Sequence, residues 1–306
     1  EPRSLSINGS DLAISSDDAL ALTTLPQSLC IVGGGVIGME FAGIFRAFGC
    51  DVTVVEYCKE ILPPFDKDVA KRLRTLLGRR GVKIAVQSAV QAIEALPDGR
   101  RAVLYEQKGR QQRAECDTVL MAVGRRGVLP DGLDRAGVDV ERGFITVDDR
   151  MRTSAHGIYA IGDVNGRCML AHAATAHGRV ALADMLGRPC AVDLSVVPSA
   201  VFTTPELAMV GRTEEQCADE GLDYRVGKAL FHSNGKALAM DETEGILKLL
   251  ADADGRILGC HILGTHAADM AQEVTVLMNF NATINQLRDI VHIHPTLGEI
   301  LQAAAE

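Results

Sequence analysis

Short apolar blocks alternate with helically spaced apolar positions in the first third of the chain, and the two periods together predict a βαβ unit. Leu29-Cys30-Ile31-Val32 is a block of strand type, and glycines follow it at once. A helical pattern then runs over 36–48, Gly49 closes it, and Asp51-Val52-Thr53-Val54-Val55-Glu56 reads as the next strand. Ahead of this unit, residues 1–28 form a polar lead-in. There Ser15-Ser16-Asp17-Asp18 can cap a short helix through Leu22, which Pro26 ends. A second helix is expected over 66–80, closed by Gly81, and a strand over 82–86. Residues 89–120 alternate and turn, with Pro97-Asp98-Gly99 as a hairpin turn, which predicts a small antiparallel meander. The stretch 117–124 returns as an apolar strand ending in glycine.

The pattern loosens after Arg125-Arg126 and is glycine-rich to about Gly143. Residues 157–163 read as a strand running into a Gly-Asp turn, and 170–186 as a helix rich in Ala and His. Beyond Pro198 come short strands, as at Val201-Phe202-Thr203 and Ile246-Leu247-Lys248-Leu249-Leu250, then amphipathic helices near 267–281 and 283–291. This change places a boundary near 194–198 and a separate α+β domain after it. The apolar stretch 270–280 suits either a contact surface or ordinary core.

Composition narrows the function classes. A chain of 306 residues with 47% hydrophobic and 23% charged positions is long enough for two or more domains. The net charge of -9, the absence of Trp and 4% aromatics argue against a nucleic-acid surface. No apolar run reaches the roughly 18 residues of a membrane span. The chain starts with Glu, and its first residues carry no signal-peptide core. None of the eight cysteines forms a CxxC or CxxxxC pair. That spacing predicts reduced thiols in a cytoplasmic protein, no metal site and no redox pair within these residues.

Gly33-Gly34-Gly35-Val36-Ile37-Gly38 fits GxGxxG. Alone, the pattern is equally a glycine-rich structural turn. Here a strand precedes it, a helix follows it, and Glu56 ends the next strand, which together predict a dinucleotide loop. The helix start offers free N–H groups to a pyrophosphate. Glu56 can accept from both ribose hydroxyls and repels a 2′-phosphate, which favours NAD over NADP.

The wider pattern resembles the dihydrolipoamide dehydrogenases. The resemblance rests on residues 33–38 with Met39 and Glu40, on Val54-Val55-Glu56, and on Ala122-Val123-Gly124-Arg125-Arg126. It continues through Gly157-Ile158-Tyr159-Ala160-Ile161-Gly162-Asp163-Val164, Met169-Leu170-Ala171-His172 and His292-Ile293-His294-Pro295-Thr296-Leu297-Gly298-Glu299, in the family's order over essentially the whole chain. It implies NAD contacts from Gly33, Gly34, Gly35, Val36, Ile37, Gly38, Met39, Glu40, Glu56, Val90 and Gly124. It implies FAD contacts from Gly162, Asp163, Met169, Leu170, Ala171 and His172, with Asp163 on a ribityl hydroxyl. The family also has a first GxGxxG and a CxxxxC disulphide, and Glu1-Pro2-Arg3 matches the point just after its first flavin segment. The resemblance therefore implies a chain missing the front of its FAD domain, inactive alone, in which Glu40 lacks the lysine it pairs with in the family.

Near the end of the chain, Pro295 is expected to start a helix at its first turn, which would bring Glu299 within reach of His294. A carboxylate on one ring nitrogen orients an imidazole and raises its basicity, as suits a base that takes a thiol proton. From these residues alone, a capping histidine near a surface glutamate is the competing reading. The resemblance implies the catalytic pair His294 and Glu299, acting on the disulphide of the other subunit of a homodimer. His292 is assigned a structural role.

The expected architecture is α/β throughout. It has a Rossmann-like NAD-binding domain with its small meander over 1–126, the C-terminal part of an FAD-binding domain over 127–195, and an α+β dimerisation domain over 196–306. The implied activity is oxidation of dihydrolipoyl groups with electrons passing through a disulphide and FAD to NAD. The implied partner is the lipoyl domain of a 2-oxoacid dehydrogenase or glycine-cleavage complex. Two alternatives stay open: a related reductase of the glutathione or mercuric type, and a non-enzymatic NAD-binding dimerisation module. Against the first, no arginine cluster follows Glu56 and no cysteine pair ends the chain.

Overall fold

The computed structural model describes residues 1–306 and divides them into two compact units. One unit comprises residues 4–124 and 198–306, the other residues 1–3 and 125–197.

In the larger unit, the predicted βαβ core is a parallel sheet. Strand Ser28–Val32 pairs with Asp51–Val55 on one side and Thr118–Met121 on the other, and Lys83–Ala85 adds the edge. Its strands are apolar on both faces because both are covered. Helices Val36–Ala47 and Lys67–Arg79 bury Met39, Phe41, Ala42, Phe45, Val69 and Leu73 against Leu29, Ile31, Val52 and Val54. The expected meander is the antiparallel sheet Ser88–Ala95, Arg101–Gln107 and Arg110–Cys116, packed over Cys30, Val32 and Val119. Helix ends follow the local chemistry. Ser15 makes a capping box for Ser16–Leu20, and Asp66 caps Lys67–Arg79 by accepting from Asp68 N–H.

The C-terminal part of this unit is a five-stranded antiparallel sheet. Its order is Ser199–Val201, Leu207–Gly211, Ile257–Leu263, Ile246–Asp252 and Tyr224–Leu230. Helices Ala267–Asn279 and Glu299–Ala305 pack on it. Val201, Leu207, Ile246 and Leu263 belong to the same buried cluster as Leu29 and Phe45, so one core joins the two sheets. The apolar stretch 270–280 divides its roles: Met270, Ala271 and Val274 are core, while Val276 and Phe280 are exposed.

In the smaller unit, helix Ala171–Met185 starts where the sequence predicts, with Leu170 at its N-cap. The strand expected over 157–163 does not form a ladder. Tyr159 makes only an isolated bridge to Arg152, and Gly162–Asn165 is a 3-10 turn. A strand exists only by continued pairing, and the bonds from Thr153 N–H to Ile158 O and from Ala160 N–H to Met151 O make this one bridge, which no ladder extends. All eight cysteines are free, and no three His, Cys, Asp or Glu side chains are grouped to hold a metal ion. No helix is long and apolar enough to cross a membrane.

Candidate functional site

The glycine loop sits at the C-terminal end of Ser28–Val32, where ligands of parallel sheets bind. Gly33 has φ 108°, which permits the turn out of the strand, and a Cβ there would strike Ala122 O. A Cβ on Gly38 would lie 2.0 Å from Gly33 O, so this residue lets helix Val36–Ala47 press onto the loop. Nothing lies within 4 Å of a Cβ built on Gly35, so the loop is open there. Gly35 caps the helix with no side chain, whereas Ser15, Asp66, Thr213, Asn234 and Thr283 all cap theirs. The first-turn N–H groups of Val36 and Ile37 are thus left for an anion.

Glu56 is buried beneath this loop and accepts from Gly34 N–H at 2.5 Å and from Cys58 N–H at 2.6 Å. These bonds fix its carboxylate at the end of Asp51–Val55. Met39 faces the core, and Glu40 Oε1 accepts from Phe202 N–H at 2.8 Å. Glu40 therefore has a backbone partner within this chain. Val90 is half-buried at a bulge in Ser88–Ala95, and Gly124 turns the chain with φ 101° after Thr118–Met121.

In the smaller unit, Asp163 is exposed in the turn Gly162–Asn165. Gly162 N–H donates to the buried His177 Nδ1 at 3.2 Å, and burial lowers the pKa of that imidazole. His177 is therefore the acceptor that fixes the turn. No residue pattern singled it out, because only the fold brings it under Gly162. Met169 and His172 are exposed on either side of the N-cap Leu170, and Ala171 opens the helix without a side-chain cap.

His294 and Glu299 meet as expected, with Nδ1 2.8 Å from Glu299 Oε1. The route differs from the expectation. The helix begins at Glu299, and Pro295 lies outside it. The turn is closed by Thr296 instead: its N–H donates to Glu299 Oε2 at 2.8 Å, and its hydroxyl donates to Ile293 O at 2.7 Å. Each carboxylate oxygen is thus held. The Thr296 N–H, followed by His294, lowers the Glu299 pKa, so the carboxylate is ionised at neutral pH. An ionised carboxylate can only accept, which puts the proton on Nδ1 and leaves Nε2 as the lone-pair nitrogen. The His294 side chain is 78% exposed, so that nitrogen is presented outward. Val291 and Ile293 beside it are also exposed. His292 faces inward, with Nδ1 3.0 Å from Ile290 O.

Residues 1–178 match the family described as pyridine nucleotide-disulphide oxidoreductase, and residues 197–305 match that family's dimerisation domain. The chain is 38% identical over 301 residues to a dihydrolipoyl dehydrogenase of Bacillus subtilis, covering 97% of this chain and 64% of that protein. It is 41% identical over 286 residues to one of Thermus scotoductus, covering 92% of this chain and 62% of that protein. The chain thus spans less than two thirds of the length of these relatives. Among solved structures it resembles the HOCl-induced flavoprotein disulfide reductase RclA of Escherichia coli, with a TM-score of 0.89 at 30% identity, over 100% of this chain and 71% of that one.

Proposed function

Since the chain belongs to the pyridine nucleotide-disulphide oxidoreductases, we propose that it serves the oxidation of dihydrolipoyl groups with NAD as the electron acceptor. The observation that carries this reading is the exposed His294, held through Nδ1 by Glu299 so that Nε2 is free to take a thiol proton. In the overall reaction the dithiol loses two electrons and two protons and becomes a disulphide. NAD⁺ takes two electrons and one proton as hydride, and the second proton is released. FAD supplies the two-electron relay between disulphide chemistry and the nicotinamide. The accepting disulphide is not supplied by these residues, whose eight cysteines include no CxxxxC pair.

The residues present fit both cofactors. The open space over Gly35 and the uncapped start of Val36–Ala47 suit a pyrophosphate, and the fixed Glu56 carboxylate suits a ribose diol. The exposed Asp163 and the uncapped start of Ala171–Met185 suit a flavin's ribityl chain and pyrimidine edge. In this reading the contacts of Val36, Ile37, Glu40, Val90 and Gly124 are with NAD, and those of Gly162, Met169, Leu170, Ala171 and His172 with FAD; Met39, expected among the NAD contacts, is fully buried in the core and drops out of the set. Residues 1–126 serve NAD, 127–195 serve FAD, and 196–306 join two copies in a cytoplasmic homodimer whose partner is a lipoyl domain. The imidazole acts by moving a proton between the substrate thiol and Nε2, with Glu299 stabilising the imidazolium.

The test is dihydrolipoamide-dependent NADH formation by an FAD-loaded protein in which these residues are joined to a segment that carries the CxxxxC disulphide, with His294→Gln alongside; the 306 residues by themselves are expected to show none. The proposal expects activity that falls on the order of 10²-fold or more in H294Q. Equal rates in the two proteins would sink it. The likeness to RclA favours a second reading, a reductase of the same mechanism with a different acceptor. NADH oxidation without dihydrolipoamide turnover would select that one.

A further inference from the structure

The Thr296 peptide that holds Glu299 has its own anchor, far away in the sequence. Asn234 is 7% exposed and lies at the N-cap of the short helix Gly235–Ala239. Its Oδ1 accepts from Ala237 N–H at 2.9 Å, and its Nδ2 donates to Thr296 O at 3.1 Å. Only this amide orientation satisfies both neighbours, because Ala237 offers a donor and Thr296 an acceptor. From this geometry we infer that Asn234 is a positioning residue for the His294–Glu299 pair, acting through the carbonyl of Thr296.

The inference rests on the reading of His294 as the acid–base group. The chain of contacts is continuous: Asn234 holds Thr296 O, Thr296 N–H holds Glu299 Oε2, and Glu299 Oε1 holds His294 Nδ1. The need for an anchor follows from the surroundings. Ile293, His294 and Pro295 are exposed, so packing restrains this turn little, and hydrogen bonds must set its geometry. Thr296 Oγ1 closes the turn only onto its own residue Ile293. Asn234 is the contact that ties the turn to the buried part of the fold, since Ala237 and Phe231 on either side of it are fully buried. Asn234, His294 and Glu299 also line one cleft, so the anchor and the pair share a local environment.

The two bonds of Asn234 can be separated by substitution. Asn234→Ser keeps an N-cap acceptor for Ala237 N–H but is too short to reach Thr296 O. Asn234→Asp also keeps the cap and sets a carboxylate against that carbonyl. Asn234→Ala removes both bonds. The measurement is NMR on the 306-residue chain: the Glu299 carboxyl titration, and the His294 ring-nitrogen shifts at a pH where the ring is neutral. The expected result in N234S and N234D is a Glu299 midpoint moved up toward the ordinary carboxyl range, with a roughly five-fold loss in the ratio of Nδ1–H to Nε2–H tautomer. N234A should give the same change and, in addition, a lower unfolding midpoint. An unchanged pair in N234S and N234D would overturn the inference, and so would a change confined to N234A, which would assign the effect to the cap. Neither readout requires dithiol, flavin or NAD, so failure here is distinguishable from failure of the proposed activity.

Discussion

Lys248 Nζ lies 3.0 and 2.9 Å from the two carboxylate oxygens of Asp66, and both side chains are closed to solvent. Asp68 and Glu214 complete the charge around the ammonium, and these carboxylates hold the Lys248 pKa above its ordinary value against the opposing effect of burial. The pair fastens the start of helix Lys67–Arg79 to the C-terminal sheet. Lys248→Met strands the Asp66 carboxylate in the core, and the expected loss is about 3–5 kcal/mol of unfolding free energy. Adding Asp66→Asn should restore part of it, giving a double-mutant coupling outside additivity. Urea unfolding of the four proteins measures this, and K248M within about 0.5 kcal/mol of the parent would refute it.

Two glycines of the same loop should separate folding from ligand binding. Gly38→Ala sets a methyl 2.0 Å from Gly33 O, so the helix must move off the loop. It should lower the thermal midpoint and weaken NADH binding together. Gly35→Ala meets no protein atom within 4 Å, so its midpoint should stay within a degree or two while NADH binding falls at least ~10-fold. Calorimetry and NADH fluorescence titration read the two effects. Equal NADH affinity in G35A and the parent would place the pyrophosphate elsewhere.

Glu56 offers a different handle, because its charge is the reason to expect NAD rather than NADP. In Glu56→Gln the amide can accept from only one of Gly34 N–H and Cys58 N–H, and the repulsion of a 2′-phosphate is gone. NAD should bind about 10-fold more weakly, the scale of one charge-assisted hydrogen bond. The NADP to NAD ratio of dissociation constants should narrow. Isothermal titration with both nucleotides decides it, and an unchanged ratio would remove Glu56 from the ribose site.

His177 should make stability depend on pH. Burial, then the positive Arg167, lowers its folded pKa below the ordinary 6.5. Between these two values the unfolded chain binds the extra proton, so stability is intact above the ordinary value and declines as pH falls below it. Protonation also removes the acceptor of Gly162 N–H. His177→Gln should flatten the decline in urea midpoint between about pH 7 and 5. Equal declines in both proteins would assign the effect to other groups.

What the sequence made legible was periodic or local. The loop 33–38, the partner Glu56 and the cap at Ser15 each depend on neighbours within a few positions or one βαβ unit. The 157–163 segment has the composition of a strand, but its pairing depends on what lies opposite, and the structure offers only the short stretch 151–153. Glu299 reaches His294 by a route other than the expected helical one, since helical reach and a Thr296-closed turn give the same neighbours. Asn234 and His177 were not singled out because their partners, Thr296 and Gly162, are chosen by tertiary contact. An isolated Asn before glycine reads as a turn residue, and a histidine among alanines reads as helix filler.

The larger unit is interrupted by residues 125–197, which leave it and return to it. The contact of Asp66 with Lys248 therefore closes a chain loop of 182 residues. Closure entropy grows only logarithmically with length, so each doubling of such a loop costs about 0.6 kcal/mol. The interrupting segment can lengthen or shorten by tens of residues with little thermodynamic consequence for the unit whose sequence it divides. The kinetic consequence is larger, because the core contacts across the interruption, such as Asp66 with Lys248 and Leu29 with the cluster that holds Val201 and Leu263, must wait for distant chain segments to meet. This topology makes the unit forgiving of insertion and slow to assemble.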